Sequence, residues 1–395
     1  VGQTFLSVDE RRQARTTLTK TCAKIISVLA HARQAENACP TENVNIFELT
    51  RQLIDIPSVT GEEAEVALFL SGLLKSLGYE VWTQEVEADR VNLIASAGAR
   101  RPRVMLSTHM DTVPPHIGSS EDEVYIYGRG SCDAKGIIAA QIVAAEMLRS
   151  EGVEDFGLLF TVDEEMSSLG ARVLNDHPLA EGCRYLINGE PTDNKLAVGT
   201  KGSLRLTLGT EGRAAHSAYP DQGESAIEKL LDVLADVRSF DWPGDDVFGE
   251  TTCNIGVIQG GAASNVIPAN ARAELFFRLA VPLAPVKESL ERMTAGRAQI
   301  EYHSAVDPVR LLSLEGFETE VVRFMTDIPY LSNWGTPLLI GPGSILDAHT
   351  AHERVAKSEL LKASELYVRL VRELLARAPG ECGGSELKIA EGALG

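Results

Sequence analysis

From Val44 onward the apolar positions recur with two different periods. NIFELTRQLIDI has the i, i+3, i+4 spacing of a helix and is broken at Pro57; EEAEVALFLSGLLKSLG repeats that spacing and stops at Gly78. EVWTQEV, VNLIASAG and RVMLSTHMD read as strands, and GIIAAQIVAAEMLRSEG as a buried helix with a glycine stop. FGLLFTVDEE and YLINGEP are again short and apolar, the form strands take in a sheet covered on both faces. Strands alternating with helices over about 150 residues predict an α/β domain of three layers.

Between about Thr200 and Val306 the pattern changes. GSLRLTLGTEG alternates as a strand, SAIEKLLDVLADVRSF is a helix and TTCNIGVIQGG a strand. ARAELFFRLAV (strand), PVKESLERMTA (helix) and AQIEYHSAV (strand) follow. The order β-α-β-β-α-β is that of a ferredoxin-like α+β unit. The α/β pattern then resumes with TPLLIGPGS and the helix SELLKASELYVRLVRELLARA. The expected organisation is a discontinuous catalytic domain, 45–199 and 307–378, carrying an inserted domain at 200–306. Residues 1–44 read as an extension outside the fold and not as a secretory signal, because Lys24 interrupts a short apolar patch. The Gly-rich stretch 379–395 reads as a frayed tail.

Composition narrows the function classes. A formal net charge of −19 argues against nucleic acid, whose phosphates need a basic face. No apolar run is long enough to span a bilayer, so no membrane role is expected. The six cysteines form no CxxC pair and are scattered through a long chain. They read as reduced thiols of a cytoplasmic protein.

The candidate chemistry lies at the carboxyl ends of the α/β strands, where open sheets of this kind bind ligands. His109 and Asp111 follow RVMLST, Asp133 follows GRGSC, Glu164 and Glu165 follow LLFTVD, Glu190 follows YLING, and His349 comes after LLIGPG. Singly, each has a bland reading: a hydrogen-bonded strand-end histidine, or Asp133 as a helix N-cap. Together they outweigh it. Two imidazoles with several carboxylates and no thiol pair suit a divalent cation such as zinc, cobalt or manganese, with zinc the first expectation for hydrolysis. The ligands exceed the three that one catalytic zinc needs, which points to two metals sharing a carboxylate. The carboxylates crowded into VDEE are then tolerated by the cations, and one glutamate is left to act as a general base. Other chemistries fit less well. GRGSCDAKG does not have the P-loop spacing, GPGS is not a nucleophile elbow, and Cys132 reads as a small buried filler.

STHMDTVP, GRGSCDAKG, VDEEMSSLGA, NGEPT, GRAAHSAYP, ASNVIPANARAELFFRL and GPGSILDAHTAHE, in that order, resemble the M20 metallopeptidases, over about Asn45 to Ala378. That group contains acetylornithine deacetylase, succinyl-diaminopimelate desuccinylase, glutamate-type carboxypeptidases and aminoacylases. The resemblance implies that Asp133 bridges two zinc ions, with His109 and Glu190 completing one and Glu165 and His349 the other. It implies Glu164 as the base, Asp111 as the carboxylate that fixes the tautomer of His109, and a cis peptide at Asp133–Ala134. His216 would reach the active site to stabilise the oxyanion, often from a partner subunit, and Asn265 and Arg278 would bind substrate carboxylate or backbone groups. The family spacing selects His349 with Glu353 in HTAHE and leaves His352 at the rim. Glu at 190 accords with deacylases and carboxypeptidases. The chain departs from the family between Val306 and Thr336, where an expected helix is reduced to GFETEVVRFM.

GPGSILDAH most resembles the acetylornithine deacetylase branch. The resemblance implies removal of an N-acyl group, acetyl in the first instance, from an amino acid such as acetylornithine. Desuccinylation and carboxypeptidase or dipeptidase action are the enzymatic alternatives, and an inactive metal-binding homologue the non-enzymatic one. A homodimer is expected through the exposed sheet edge of the inserted domain.

Overall fold

The structure, a computed structural model, describes residues 44–378. The expected extension (but for Val44) and tail, with Cys22, Cys39 and Cys382, lie outside the described residues. Those described form two compact units, 44–194 with 333–378, and 195–332.

The first unit is built on a six-stranded sheet. Its order is Glu80–Glu87, Arg90–Ser96, Phe156–Thr161, Val104–His109, Tyr185–Asn188, Thr336–Leu339. The last four strands run parallel, and the Glu80–Ser96 hairpin adds an antiparallel edge. Val104–His109 and Phe156–Thr161 are buried at every position, so neither shows the in–out alternation of a half-exposed strand; the buried hydroxyls of Ser107 and Thr108 are hydrogen-bonded to Asn188 and Gly189. The helix Lys135–Ser150 packs against both these strands and against the helices Lys357–Ala376 and Ile46–Asp55. Ile46–Asp55 begins where the Asn45 side chain accepts the N–H groups of Phe47 and Glu48, at 3.0 and 3.1 Å. Because the four strands are parallel, their carboxyl ends share one edge. There the chain leaves the sheet at His109, Val162, Gly189 and Ile340.

Gly189 opens one of these exits. A Cβ there would stand 2.3 Å from Ile137 Cγ2, so only glycine lets the strand end pass the helix.

The second unit contains a four-stranded antiparallel sheet, ordered Thr252–Gly260, Asn270–Leu279, Gly202–Glu211, Gln299–Val306. That is the ferredoxin-like order expected from the sequence. Leu204, Leu206 and Leu208 alternate with Arg205 and Thr207, so one face meets the helices Ala226–Ser239 and Leu283–Thr294. The unit is larger than the 200–306 insert. Leu196–Thr200 pairs with Val309–Arg310 on one side and Thr319–Val322 on the other, which carries 307–332 into this unit. Thr319–Val322 also corrects the expectation of a residual helix in GFETEVVRFM. Three of its four residues are β-branched, and parallel pairing with Leu196–Thr200 supplies the hydrogen bonds that a one-turn helix would not.

Candidate active site

His109 is the last residue of its strand and is buried. Its Nδ1 lies 3.0 Å from the Asp111 carbonyl oxygen and 3.5 Å from the Asp111 carboxylate, so Nδ1–H donates to residue 111. That leaves Nε2 as the lone-pair nitrogen of the neutral ring. Nε2 faces Asp133 Oδ1 at 3.0 Å. The other oxygen, Asp133 Oδ2, is 3.2 Å from His349 Nε2, which is also 3.0 Å from Glu165 Oε1. One carboxylate therefore faces two imidazoles through different oxygens. The candidate ligand atoms of His109, Asp133 and Glu165 lie within 4.8 Å of one another. Asp133–Ala134 is a cis peptide.

The three carboxylates after Thr161 are parted by the turn they occupy. Asp163 has φ 70° and points away from the cluster, accepting from Arg90 Nη2 at 2.8 Å and from the hydroxyl of Ser167. Arg90 holds Glu63 through two further bonds of 2.7 and 2.8 Å. A guanidinium, not a metal, thus neutralises Asp163. The Asp111 carboxylate accepts the backbone N–H of Glu164 and of Glu165, each at 3.1 Å, and the hydroxyl of Thr60 at 2.9 Å. Asp111 fixes the backbone of both glutamates as well as the imidazole of His109.

Glu353 has a part that sequence reasoning missed. It is 1% exposed, and its Oε1 accepts the N–H groups of Gly130, Cys132 and Asp133 at 2.9, 3.3 and 3.3 Å. Its Oε2 takes Arg129 Nη1 at 2.5 Å. The loop that presents Asp133 is therefore wrapped around a carboxylate four residues beyond His349. The glycine-rich GRGSC was the available signal, since consecutive N–H groups in such a loop form an anion cradle. Lys135 is also buried; its Nζ donates to the Ile56 carbonyl at 2.6 Å, and burial pulls its pKa down to about 7.

The electrostatics favour added positive charge. Burial opposes protonation of His109, but the carboxylates of Asp111 and Asp133 outweigh it and raise its pKa well above the ordinary value. Hydrogen bonds to Asp133 and Glu165 lift His349 to about 10. Burial works against ionised Asp133, yet its two imidazole partners hold it below the usual carboxylate range. Desolvation raises Glu165. Nitrogen and carboxylate oxygen donors converging where positive charge is favoured are the donor set of a borderline divalent cation, and His109, Asp133, Glu165 and His349 fit one.

Glu190 lies beyond the tight group. It is buried at the end of the Tyr185–Asn188 strand, with Oε1 3.5 Å from Asn188 Nδ2. His216, Asn265 and Arg278 belong to the second unit. The short strand Ala215–His216 pairs with Val266–Ile267, and Ser217 N–H donates to the Asn265 carbonyl at 3.0 Å, so His216 and Asn265 are neighbours. His216 Nδ1 accepts the N–H of Ala218 at 3.1 Å, which places the ring proton on Nε2. Arg278 is half-buried, with its guanidinium 4.6 Å from the Phe276 ring centroid.

A largely parallel sheet with facing imidazoles and carboxylates at its carboxyl edge, in a chain that also holds a ferredoxin-like unit, is an arrangement suited to a metal-dependent hydrolase. The description Peptidase family M20/M25/M40 matches residues 105–373. A peptidase M20 domain-containing protein of Schizosaccharomyces pombe is 39% identical over 337 residues, covering 83% of this chain and 84% of its own. A probable carboxypeptidase of Aspergillus terreus is 36% identical over 365 residues, covering 81% and 84%. Among solved structures, a tripeptidase of Staphylococcus aureus shares the fold with TM-score 0.72 and 21% identity, over 84% of this chain and 99% of that one. A dinuclear metal-binding peptidase of the M20 family from Bacillus subtilis does so with TM-score 0.66 and 16% identity, over 84% and 97%. The chain belongs to peptidase family M20 and is a metallo-hydrolase acting on peptide or amide bonds.

Proposed function

We propose that this enzyme cleaves the amide bond of a small N-acyl amino acid or short peptide, using two divalent cations held around Asp133. The observation that carries this reading is the pair of Asp133 oxygens facing His109 and His349 separately, with Glu165 beside the second. His109 and Glu190 would complete one site, Glu165 and His349 the other, with zinc the expected ion. Such ions, when bound, polarise a scissile carbonyl and acidify water.

The chain's own residues supply the rest. Glu164, its backbone fixed by Asp111, takes the proton of the attacking water and returns it to the leaving amine. The charge of Glu164 acts on the His109 ring, which supports its lying beside the ligands. His216, with its proton on Nε2, donates to the developing oxyanion. Arg278 and Asn265 hold the substrate's carboxylate or backbone groups.

Two substrates follow. Deacetylation of an amino acid such as acetylornithine is one; release of a terminal residue from a short peptide is the other, favoured by relatives named probable carboxypeptidase. Amine release is measured from Nα-acetylornithine, N-succinyl-diaminopimelate, acetylmethionine and a dipeptide, after chelation and after adding back zinc or cobalt. Turnover that returns with metal supports the reading, and turnover indifferent to metal refutes it.

The exposed edge strand Thr252–Gly260, with Val257 and Ile258 open to solvent, supports a homodimer through the second unit. A monomer in sedimentation at micromolar concentration would count against it. Cys132, Cys183 and Cys253 are not disulfide-bonded, which supports a cytoplasmic protein. Recovery of the protein outside the cytosol on fractionation would refute that.

A further inference from the structure

Two turns at the candidate site carry large apolar side chains where turns ordinarily carry polar ones. In the first, the Ser344 carbonyl accepts the N–H of Asp347 at 3.0 Å and of Ala348 at 3.3 Å. Ile345 and Leu346 therefore fill the two central positions, which usually go to glycine, proline, asparagine, aspartate or serine. They are 37% and 84% exposed. In the second, the Asp163 carbonyl accepts the N–H groups of Met166, Ser167 and Ser168. Met166, on this turn, is 77% exposed.

Both turns belong to the first unit and adjoin candidate ligands. Met166 follows Glu165, and Leu346 lies three residues before His349; Glu165 and His349 are themselves in contact at 3.0 Å. The Ser344 carbonyl also sits 3.8 Å from the sulfur of Cys132, the residue before Asp133. Single exposed apolar residues are ordinary, and Leu68 and Leu361 on helical surfaces need no account. Three on two turns beside one reactive cluster are different. The neighbouring charge of Asp347 is matched by Arg354 at 3.3 Å.

We propose that Met166, Ile345 and Leu346 form an apolar rim that grips a large apolar group of the substrate next to the scissile bond. The inference rests on the amide-hydrolase reading and deepens it. The enzyme then prefers leucine-, methionine- or phenylalanine-like groups over the charged side chain of ornithine. The group can belong to either side of the bond, and burying one of this size strengthens binding by roughly tenfold to a hundredfold.

The test uses the full chain loaded with metal and two substrate series. One fixes the acetyl group and varies the amino acid among alanine, leucine, phenylalanine, ornithine and aspartate. The other fixes alanine and lengthens the acyl chain from acetyl to butanoyl and octanoyl. In at least one series kcat/KM is expected to rise tenfold or more with apolar size, which names the side of the bond. Met166→Ser with Leu346→Ser is expected to reduce that ratio several-fold, while Leu361→Ser keeps it. Both rim positions are exposed, so the melting temperature is expected to hold and serves as the folding check.

Flat kcat/KM in both series, or a ratio that survives the double variant, overturns the rim and leaves the amide-hydrolase reading standing. No hydrolysis of any member overturns both. Concentration-dependent association of the wild type that Leu346→Ser abolishes would make the patch a self-association face and overturn the rim as a substrate contact.

Discussion

Removing the carboxylate of Glu353 probes the support of the Asp133 loop most directly. Glu353→Ala leaves Arg129, 2% exposed, without its ion-pair partner, and strips the acceptor from three backbone N–H groups. Losing one member of a buried pair costs about 3–5 kcal/mol. At about 2–4 °C per kcal/mol for a unit of this size, the melting temperature falls by roughly 6–20 °C. Glu353→Gln keeps an oxygen for the N–H groups and loses only the charge opposite Arg129, so its cost is about 1.5–3 kcal/mol.

Function separates this from a general loss of packing. The same oxygen holds the backbone of Asp133, so metal affinity is expected to weaken about tenfold to a hundredfold in Glu353→Ala, with Glu353→Gln between it and wild type. The assay pairs thermal unfolding of the chelated protein with competition for zinc against a chromophoric chelator. A variant that melts early but binds zinc as tightly as wild type would refute the reasoning, because Glu353 would then support the core without aiming Asp133.

Other expectations follow from the same geometry. Glu164→Gln is expected to retain wild-type metal stoichiometry by elemental analysis while turnover drops about 10²–10⁴-fold. In metal-free protein His349 has its pKa raised to about 10 from an ordinary 6.5, so the stability due to its charge is complete below the lower value and is lost as pH rises through the higher one. Melting temperature after chelation should decline across that window, and His349→Gln should flatten the decline. Arg90→Met leaves Glu63 and Asp163 buried without their cation and is expected to destabilise by about 3–5 kcal/mol in urea unfolding. His216→Ala is expected to lower kcat about 10²–10³-fold, checked by steady-state kinetics with metal saturating.

Much of this architecture was legible from periodicity. Leu204, Leu206 and Leu208 announce a one-sided strand, and the short non-alternating runs VML at 104–106 and FGLLF at 156–160 announce strands buried on both faces. Strand ends were equally legible as sites, because a parallel sheet gathers its exits at one edge. Pairings that depend on register between distant segments were not. Nothing local in GFETEVVRFM distinguishes a weak helix from the strand that pairs with Leu196–Thr200. Likewise, the three carboxylates of VDEE look alike until the left-handed turn at Asp163 sends that side chain to Arg90, 73 residues earlier. Glu353 was readable as part of a family spacing, but its contact with GRGSC required the fold.

That contact also bears on the order in which the molecule is made. Arg129 and Glu353 are 224 positions apart, and the whole of 195–332 is synthesised between them. The second unit is contiguous and can close on its own residues while the ribosome is still translating. The first cannot: its Thr336–Leu339 strand, His349 and the acceptor for Arg129 all arrive late. Until then the 129–133 loop has no anion to wrap, and the candidate ligands have no common geometry. A chain truncated after residue 335 and released should therefore protect 195–332 from protease and leave the Asp133 loop open to it. Activity would be withheld until residues 336–353 have been made and folded back.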